Sequence, residues 1–196
     1  MTAPDPRTDQ LTAAYTHRAA GRWQAAITLY QEVVDRQPQA IDAWVGLALC
    51  HEELGNLAAA RLALLACLAQ RPQTAFAHHR LGWLCYRQKH FTDALPHYLQ
   101  AIQYAPNWVE PHYHAAVCCQ ELRRYPEAIA HYQNALNCKS DLPAVWYHAA
   151  KALKDGGQLD AALPAYQKAL ELQPDYADAR YSLGLLHLLR GDWLAG

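Results

Sequence analysis

The chain of 196 residues carries almost no net charge: 17 Lys and Arg stand against 18 Asp and Glu, a formal balance of −1. Without an excess of one sign there is no long-range field to draw in nucleic acid or an anionic membrane. No signal pattern opens the sequence either, because Met1 to Gln10 contains no apolar segment. No apolar run approaches the roughly 18 residues a membrane-spanning helix requires, so no membrane span is expected. A glycine-rich phosphate loop, Gly-x-Ser-x-Gly, His-Glu-x-x-His and Cys-x-x-Cys are all missing. The eleven histidines and six cysteines never fall into the spacing of a four-ligand zinc site. These absences point to a chain with no cofactor, no metal and no catalytic residue. The carboxylates of Glu52 and Glu53 read as solvated helix surface. The six cysteines, Cys50, Cys67, Cys85, Cys118, Cys119 and Cys138, mostly lie in apolar helical patterns and read as reduced core residues of a cytoplasmic protein.

What the sequence does contain is a period. Pro38, Pro72 and Pro106 are 34 residues apart, and Pro174 follows two periods beyond Pro106, with Ser140 in the slot between. Ala26, Ala60, Ala94, Ala128 and Ala162 keep the same spacing, as do Tyr30, Leu64, Tyr98, Tyr132 and Tyr166. A small residue recurs at Ala14, Ala48, Gly82, Ala116, Ala150 and Gly184. Two helices of about 13 residues and two short turns fill such a period, which makes each unit a helical hairpin of a stacked array. The units are expected at 7–40, 41–74, 75–108, 109–142 and 143–176, with a partial sixth at 177–196 and a flexible N-terminus over 1–6. Small alanines let paired helices approach closely, and the large residue four places on fills the space between hairpins. Thr92 and Asp160 are placed as N-caps. Pro96 and Pro164 fall one turn into their helices and should each forfeit about one backbone bond. Gly21, Gly55, Gly157 and Gly191 mark bends with positive φ.

These columns resemble the tetratricopeptide repeat: Trp44, Leu47, Ala48, Gly55, Ala60 and Pro72 in the second unit, and Trp146, Ala150, Gly157, Leu159, Ala162, Tyr166, Ala169 and Pro174 in the fifth. The sequence departs from the pattern at Gln10, His78 and His112, where a large aromatic is common, and at Lys89 and Arg123, where glycine is common. The resemblance implies an all-α fold, a right-handed α-solenoid of stacked antiparallel helix pairs, acting as a protein–protein interaction scaffold. Members that bind a chaperone C-terminus share a clamp of Lys, Asn and Arg that is absent here.

On the first helix of each unit, positions 4, 7, 8 and 11 form one stripe, and positions 2, 5, 6, 9 and 13 point the other way. The resemblance implies that this second face lines a concave groove. It carries Phe76, His79, Arg80, Trp83 and Arg87 with Tyr86 at the edge, then Tyr113 and His114, then Tyr147, His148 and Lys151, and finally Tyr181. A helix surface with no partner should show Glu, Lys and Gln there. Aromatics beside imidazole and guanidinium groups are instead the chemistry of binding hot spots. The face is expected to hold a protein or peptide segment, with aromatic anchors and some preference for acidic groups. Simple packing between neighbouring first helices is the competing reading.

The leucines at 183, 185, 186, 188 and 189 cover most of the last helix, and Trp193 is placed at the start of a further helix. The expectation is a chain cut from a longer protein, with self-association through that last helix as the other outcome. The closing Leu-Leu-Arg-Gly-Asp-Trp-Leu-Ala-Gly also resembles the junction at which bacterial repeat proteins enter a glycosyltransferase domain like that of the O-linked N-acetylglucosamine transferases. On that reading the chain would select acceptor proteins. That family's asparagine ladder is replaced here by Thr12, Gly46, Arg80, His114, His148 and Ser182.

Overall fold

The computed structural model describes residues 6–191, which form eleven α-helices. In chain order they are α1 (Pro6–Ala19), α2 (Trp23–Arg36), α3 (Ile41–Glu53), α4 (Leu57–Gln70), α5 (Ala75–Arg87), α6 (Phe91–Tyr104), α7 (Val109–Glu121), α8 (Tyr125–Cys138), α9 (Pro143–Asp155), α10 (Leu159–Leu172) and α11 (Ala177–Arg190). No strand occurs among the described residues, and no helix among them is long and apolar enough to cross a membrane. The first helix begins at Pro6, so the N-terminus expected to be flexible lies outside the described residues apart from its last position. The helix placed at Trp193 also lies outside them.

The chain divides into two compact units, residues 1–84 and 85–196. In the first unit α1 packs on α2, α2 on α3, and α3 on α4, while α1 also touches α3. In the second unit the same order runs from α6 through α11, with first helices meeting as α7 against α9 and α9 against α11. Within each unit a hairpin therefore covers its apolar side with the next one, the nearest-neighbour logic of a repeat array.

The periodic columns are what is buried. All five alanines from Ala26 to Ala162 and all five large residues, Tyr30, Leu64, Tyr98, Tyr132 and Tyr166, are sealed from solvent. Replacing any of these tyrosines by alanine would cost roughly 3–5 kcal/mol on the scale of aromatic truncations in well-packed cores. The inner stripe of the first helices differs from the sequence expectation. Position 3 (Ala43, Ala77, Val145, Ala179) and position 10 (Cys50, Leu84, Cys118, Ala152, Leu186) are buried along with positions 7 and 8. Gly184, expected to permit a close helix approach, has open space where a Cβ would stand. Gly46 is the glycine that does need its smallness, because a Cβ there would enter the ring of Tyr30.

Five turns between paired helices share one construction. The second residue after the first helix accepts a left-handed φ: Gly21 (69°), Gly55 (75°), Lys89 (60°), Arg123 (59°) and Gly157 (80°). The following N–H then reaches back five residues, as in His90 to Cys85 O at 3.0 Å and Gln158 to Leu153 O at 2.8 Å. This closure leaves a single residue before the next helix, so α6 and α10 start at Phe91 and Leu159. Thr92 and Asp160 are thus second helical residues and not N-caps. The cap positions belong to His90 and Gln158, and neither makes a side-chain cap bond. Pro96 and Pro164 sit inside α6 and α10, and both helices continue through them.

A second device joins consecutive hairpins, and it explains the histidines at 78 and 112. In the first helices that follow another hairpin, the fourth residue donates to the backbone carbonyl six residues earlier: Trp44 Nε1 to Pro38 O at 2.7 Å, Trp146 Nε1 to Ser140 O at 2.8 Å, His78 Nε2 to Pro72 O and His112 Nε2 to Pro106 O, both at 2.9 Å. Arg180 makes the same bond to Pro174 O. What the position requires is a ring or guanidinium N–H, and histidine supplies it as well as tryptophan.

Two predictions follow from these joints. Lys89 and Arg123 bear the cost of a left-handed conformation with a Cβ, so Lys89→Gly and Arg123→Gly should each raise stability by about 0.5–1 kcal/mol, read as a higher urea midpoint. His112→Trp should leave the thermal midpoint nearly unchanged, whereas His112→Phe, with no donor, should lose about 1 kcal/mol.

Candidate protein-binding face

The large residue of each second helix decides what the next first helix can show. Tyr30 lies over Gly46. Tyr98 stacks on His114 with centroids 5.3 Å apart and planes 18° apart, and Tyr132 stacks on His148 at 6.3 Å and 17°. Position 6 of the first helix is therefore clamped from beneath by a buried ring. Tyr132 is itself held by its hydroxyl, which donates to Gln120 Oε1 at 3.1 Å.

On top of this layer the second unit carries a continuous row of touching rings. Tyr86 and Tyr113 flank His114 at 5.9 and 5.3 Å, Tyr113 and Tyr147 flank His148 at 5.6 and 5.1 Å, and Tyr176 closes the row 5.1 Å from Tyr147. Most of these contacts are edge-on or tilted, the arrangement that the ring quadrupole favours. All six rings are half-buried. Tyr176 is absent from the face read in the sequence, because it precedes α11 and falls outside the helical register used to find the others. The only signal for it is an aromatic two places after the repeat's closing proline.

The remaining residues of that face fare differently. Lys151, Arg87 and Tyr181 are exposed, Tyr181 at 70%. In the first unit Phe76 is half-buried and His79 is buried, which removes His79 from any outward surface. Arg80 stacks 4.4 Å from the centroid of Trp83 and forms an ion pair with Glu52, with Nε to Oε1 at 3.2 Å. Glu52 is buried, contrary to its reading as a solvated carboxylate, and the side chain that shields it is this arginine from the next repeat. Arg80 therefore spends its charge inside the protein and does not offer it to an acidic ligand.

Burial also sets the protonation of the row. It pushes the Tyr113 phenol up to about 12 and raises Tyr86 and Tyr176. It lowers His148, with Lys151 adding to the same direction. At neutral pH those phenols and that imidazole are uncharged donors and acceptors.

Five cysteines are buried and Cys138 is exposed, so the core reading fails for the last one; its Sγ faces Pro106 O at 3.8 Å. Cys138 ends a second helix, where the array leaves the side chain open to water. All six are free thiols, and among the described residues no group of three or more His, Cys, Asp or Glu side chains could hold a metal ion. Burial raises Cys50 to about 11 and Cys118 to about 12. A separate cavity of about 500 Å³ opens between α8 and α10 over α9, lined by Ile129, Leu136, Trp146, Leu153 and Pro164 and bordered by Lys168 and Glu171. Most of its lining comes from the second helices α8 and α10, a side the sequence reading did not consider.

The helices and turns together define a class, an array of α-hairpin repeats joined by identical turns. Three family models agree on which kind: two described as tetratricopeptide repeat match residues 11–75 and 75–108, and one described as TPR repeat matches residues 150–191. The chain belongs to the tetratricopeptide repeat family. No curated protein matches it. Among solved structures, MamA is similar with a TM-score of 0.77 at 19% identity, over 87% of this chain and 93% of that one. YrrB is similar with a TM-score of 0.77 at 17% identity, over 88% and 89%. A MamA double mutant reaches 0.79 at 16% identity, over 88% and 97%. At such identities the likeness concerns the fold.

The buried ionisable groups predict how stability varies with pH. His51, His131 and His148 are held below the usual imidazole value of 6.5, so the unfolded chain binds their protons more readily and stability is lost as pH falls below about 6.5. Cys118 and Tyr113 are held above their ordinary 9.0 and 10.0, so stability is lost again as pH rises from about 9 toward 12. Thermal midpoints against pH should show a plateau between these limits.

Proposed function

We propose that the chain is a protein-interaction scaffold that holds a peptide segment of a partner against the first-helix face of its second unit. The observation that carries this reading is the row of six touching, half-buried rings from Tyr86 to Tyr176. Rings fixed from beneath by buried tyrosines lose little freedom on meeting a ligand, and pre-organisation of this kind turns contact area into affinity. Tyrosine in such a setting brings a large apolar face and a polar handle together, the profile of a hot spot. The similar fold of YrrB, described as a TPR protein with an unusual peptide-binding site, supports a peptide as the ligand type. Acidic groups have weaker support, since Arg80 is engaged with Glu52 and burial disfavours the charged form of His148.

Packing between first helices is part of the same arrangement, and one experiment separates the two roles. Peptides selected from a random library on the wild-type chain should bind Tyr86→Ala and Tyr147→Ala variants at least about 10-fold more weakly, the loss typical of an interface hot spot. Thermal unfolding of each variant confirms that it is folded under the assay conditions. Equal affinity in folded variants, accompanied by lowered thermal midpoints, would assign the row to packing alone.

A further inference from the structure

We infer that the row from Tyr86 to Tyr147 receives an uncharged, proline-rich segment in the polyproline II conformation. This rests on the reading of that face as a peptide-holding surface and specifies its ligand. The first argument is spacing. Tyr113 and Tyr147 both touch His148, at 5.6 and 5.1 Å, so their centroids are at most about 10.7 Å apart. Tyr86 and Tyr113 both touch His114, at 5.9 and 5.3 Å, which limits their separation to about 11.2 Å. A polyproline II helix has three residues per turn and a rise of about 3.1 Å, so every third residue returns to the same side after about 9.3 Å. One pyrrolidine ring can then lie on each tyrosine in turn.

The second argument is hydrogen bonding. An α-helix could match the spacing over two turns of about 5.4 Å each, but its backbone groups are already bonded to one another. It would press its intermediate turn on the half-buried imidazole and leave the row's polar edges unanswered. A β-strand alternates sides every 3.3 Å or so, which turns the third residue away from the row. Polyproline II leaves every carbonyl unbonded, and the phenol O–H groups of Tyr113 and Tyr147, with the His148 imidazole between them, can donate to them. Aromatic-lined grooves use the same combination elsewhere because the proline chain is already extended and gives up little entropy.

The third argument is charge complementarity. Burial keeps the Tyr113 phenol and the His148 imidazole neutral at pH 7. The charges bordering the row come in both signs: Glu121 acts on Tyr86, Lys151 on His148 and Asp178 on Tyr176. A row of this kind has no field with which to select a strongly acidic or basic segment, and a neutral one loses no ionic hydration on docking.

The test uses fluorescence anisotropy with the 196-residue chain and three labelled 12-residue peptides: four Ala-Pro-Pro triplets, an amphipathic Ala/Leu/Gln helix former, and an alternating Thr/Val/Ser strand former. The proline peptide should bind most tightly. Tyr113→Phe and Tyr147→Phe, which keep the ring and remove the donor, should each weaken it about 3- to 10-fold. Ala161→Trp, which fills the cavity between α8 and α10, should leave the affinity unchanged. Preference for the helical or the extended peptide, abolished by Tyr147→Ala in a folded chain, would overturn this inference while keeping the face as a peptide site. Binding that ignores the tyrosines and disappears in Ala161→Trp would overturn both readings. So would no binding of any of the three, together with library peptides that ignore Tyr147→Ala.

Discussion

Four of the five second helices bury a tyrosine, and in three of the resulting pairs that ring bears on the sixth residue of the following first helix. Tyr30 covers Gly46, Tyr98 stacks under His114 and Tyr132 stacks under His148. This contact does two things together. It closes the seam between neighbouring hairpins, which cannot hide their apolar sides alone. At His114 and His148 it also supports from beneath a residue that the next helix leaves half-exposed. Stability and surface chemistry are for this reason set by the same atoms, and a change to the buried ring moves both.

Electrostatics follow from that layer. Half-burial holds the Tyr86, Tyr113 and Tyr176 phenols protonated and His148 unprotonated, so these groups are polar without being charged. The first unit solves the equivalent position by another route. Arg80 occupies the sixth place of α5, and its charge is answered by buried Glu52 from the preceding first helix. Removing either partner would leave a poorly solvated charge behind. The two units therefore present different chemistries at the same register: in one an ion pair with a tryptophan stacked against its arginine, in the other a file of tyrosine and histidine rings.

Much of this was legible in the residues. The buried columns of alanine and tyrosine, the helical hairpin and the left-handed bends at glycine could all be read from a 34-residue period, because the pattern repeats wherever the same packing problem repeats. The candidate face was legible in part: Tyr86, Tyr113, His114, Tyr147 and His148 were placed on one side of their helices, and the structure brings them into contact. His79 was misplaced because a residue at the margin of an amphipathic stripe goes in or out according to its neighbour across the hairpin, and helical angle alone does not contain that neighbour. Tyr176 escaped because it belongs to a turn. Thr92 and Asp160 looked like caps because a capping residue type was present, whereas the position of the cap is set by where the preceding left-handed closure ends.

The order of helices, the left-handed bends at glycine and the buried columns of alanine and tyrosine were determined by the sequence alone, since local periodicity and glycine conformation act over a few residues at a time. The roles of Glu52, Arg80, His78 and His112 were decided only when separate segments met. A carboxylate becomes a buried partner when an arginine 28 residues away folds over it, and a histidine replaces a tryptophan when the carbonyl it must reach lies in the turn before it. Those partners sit in a different helix or in the backbone of a turn, and the side-chain pattern along one helix does not record them.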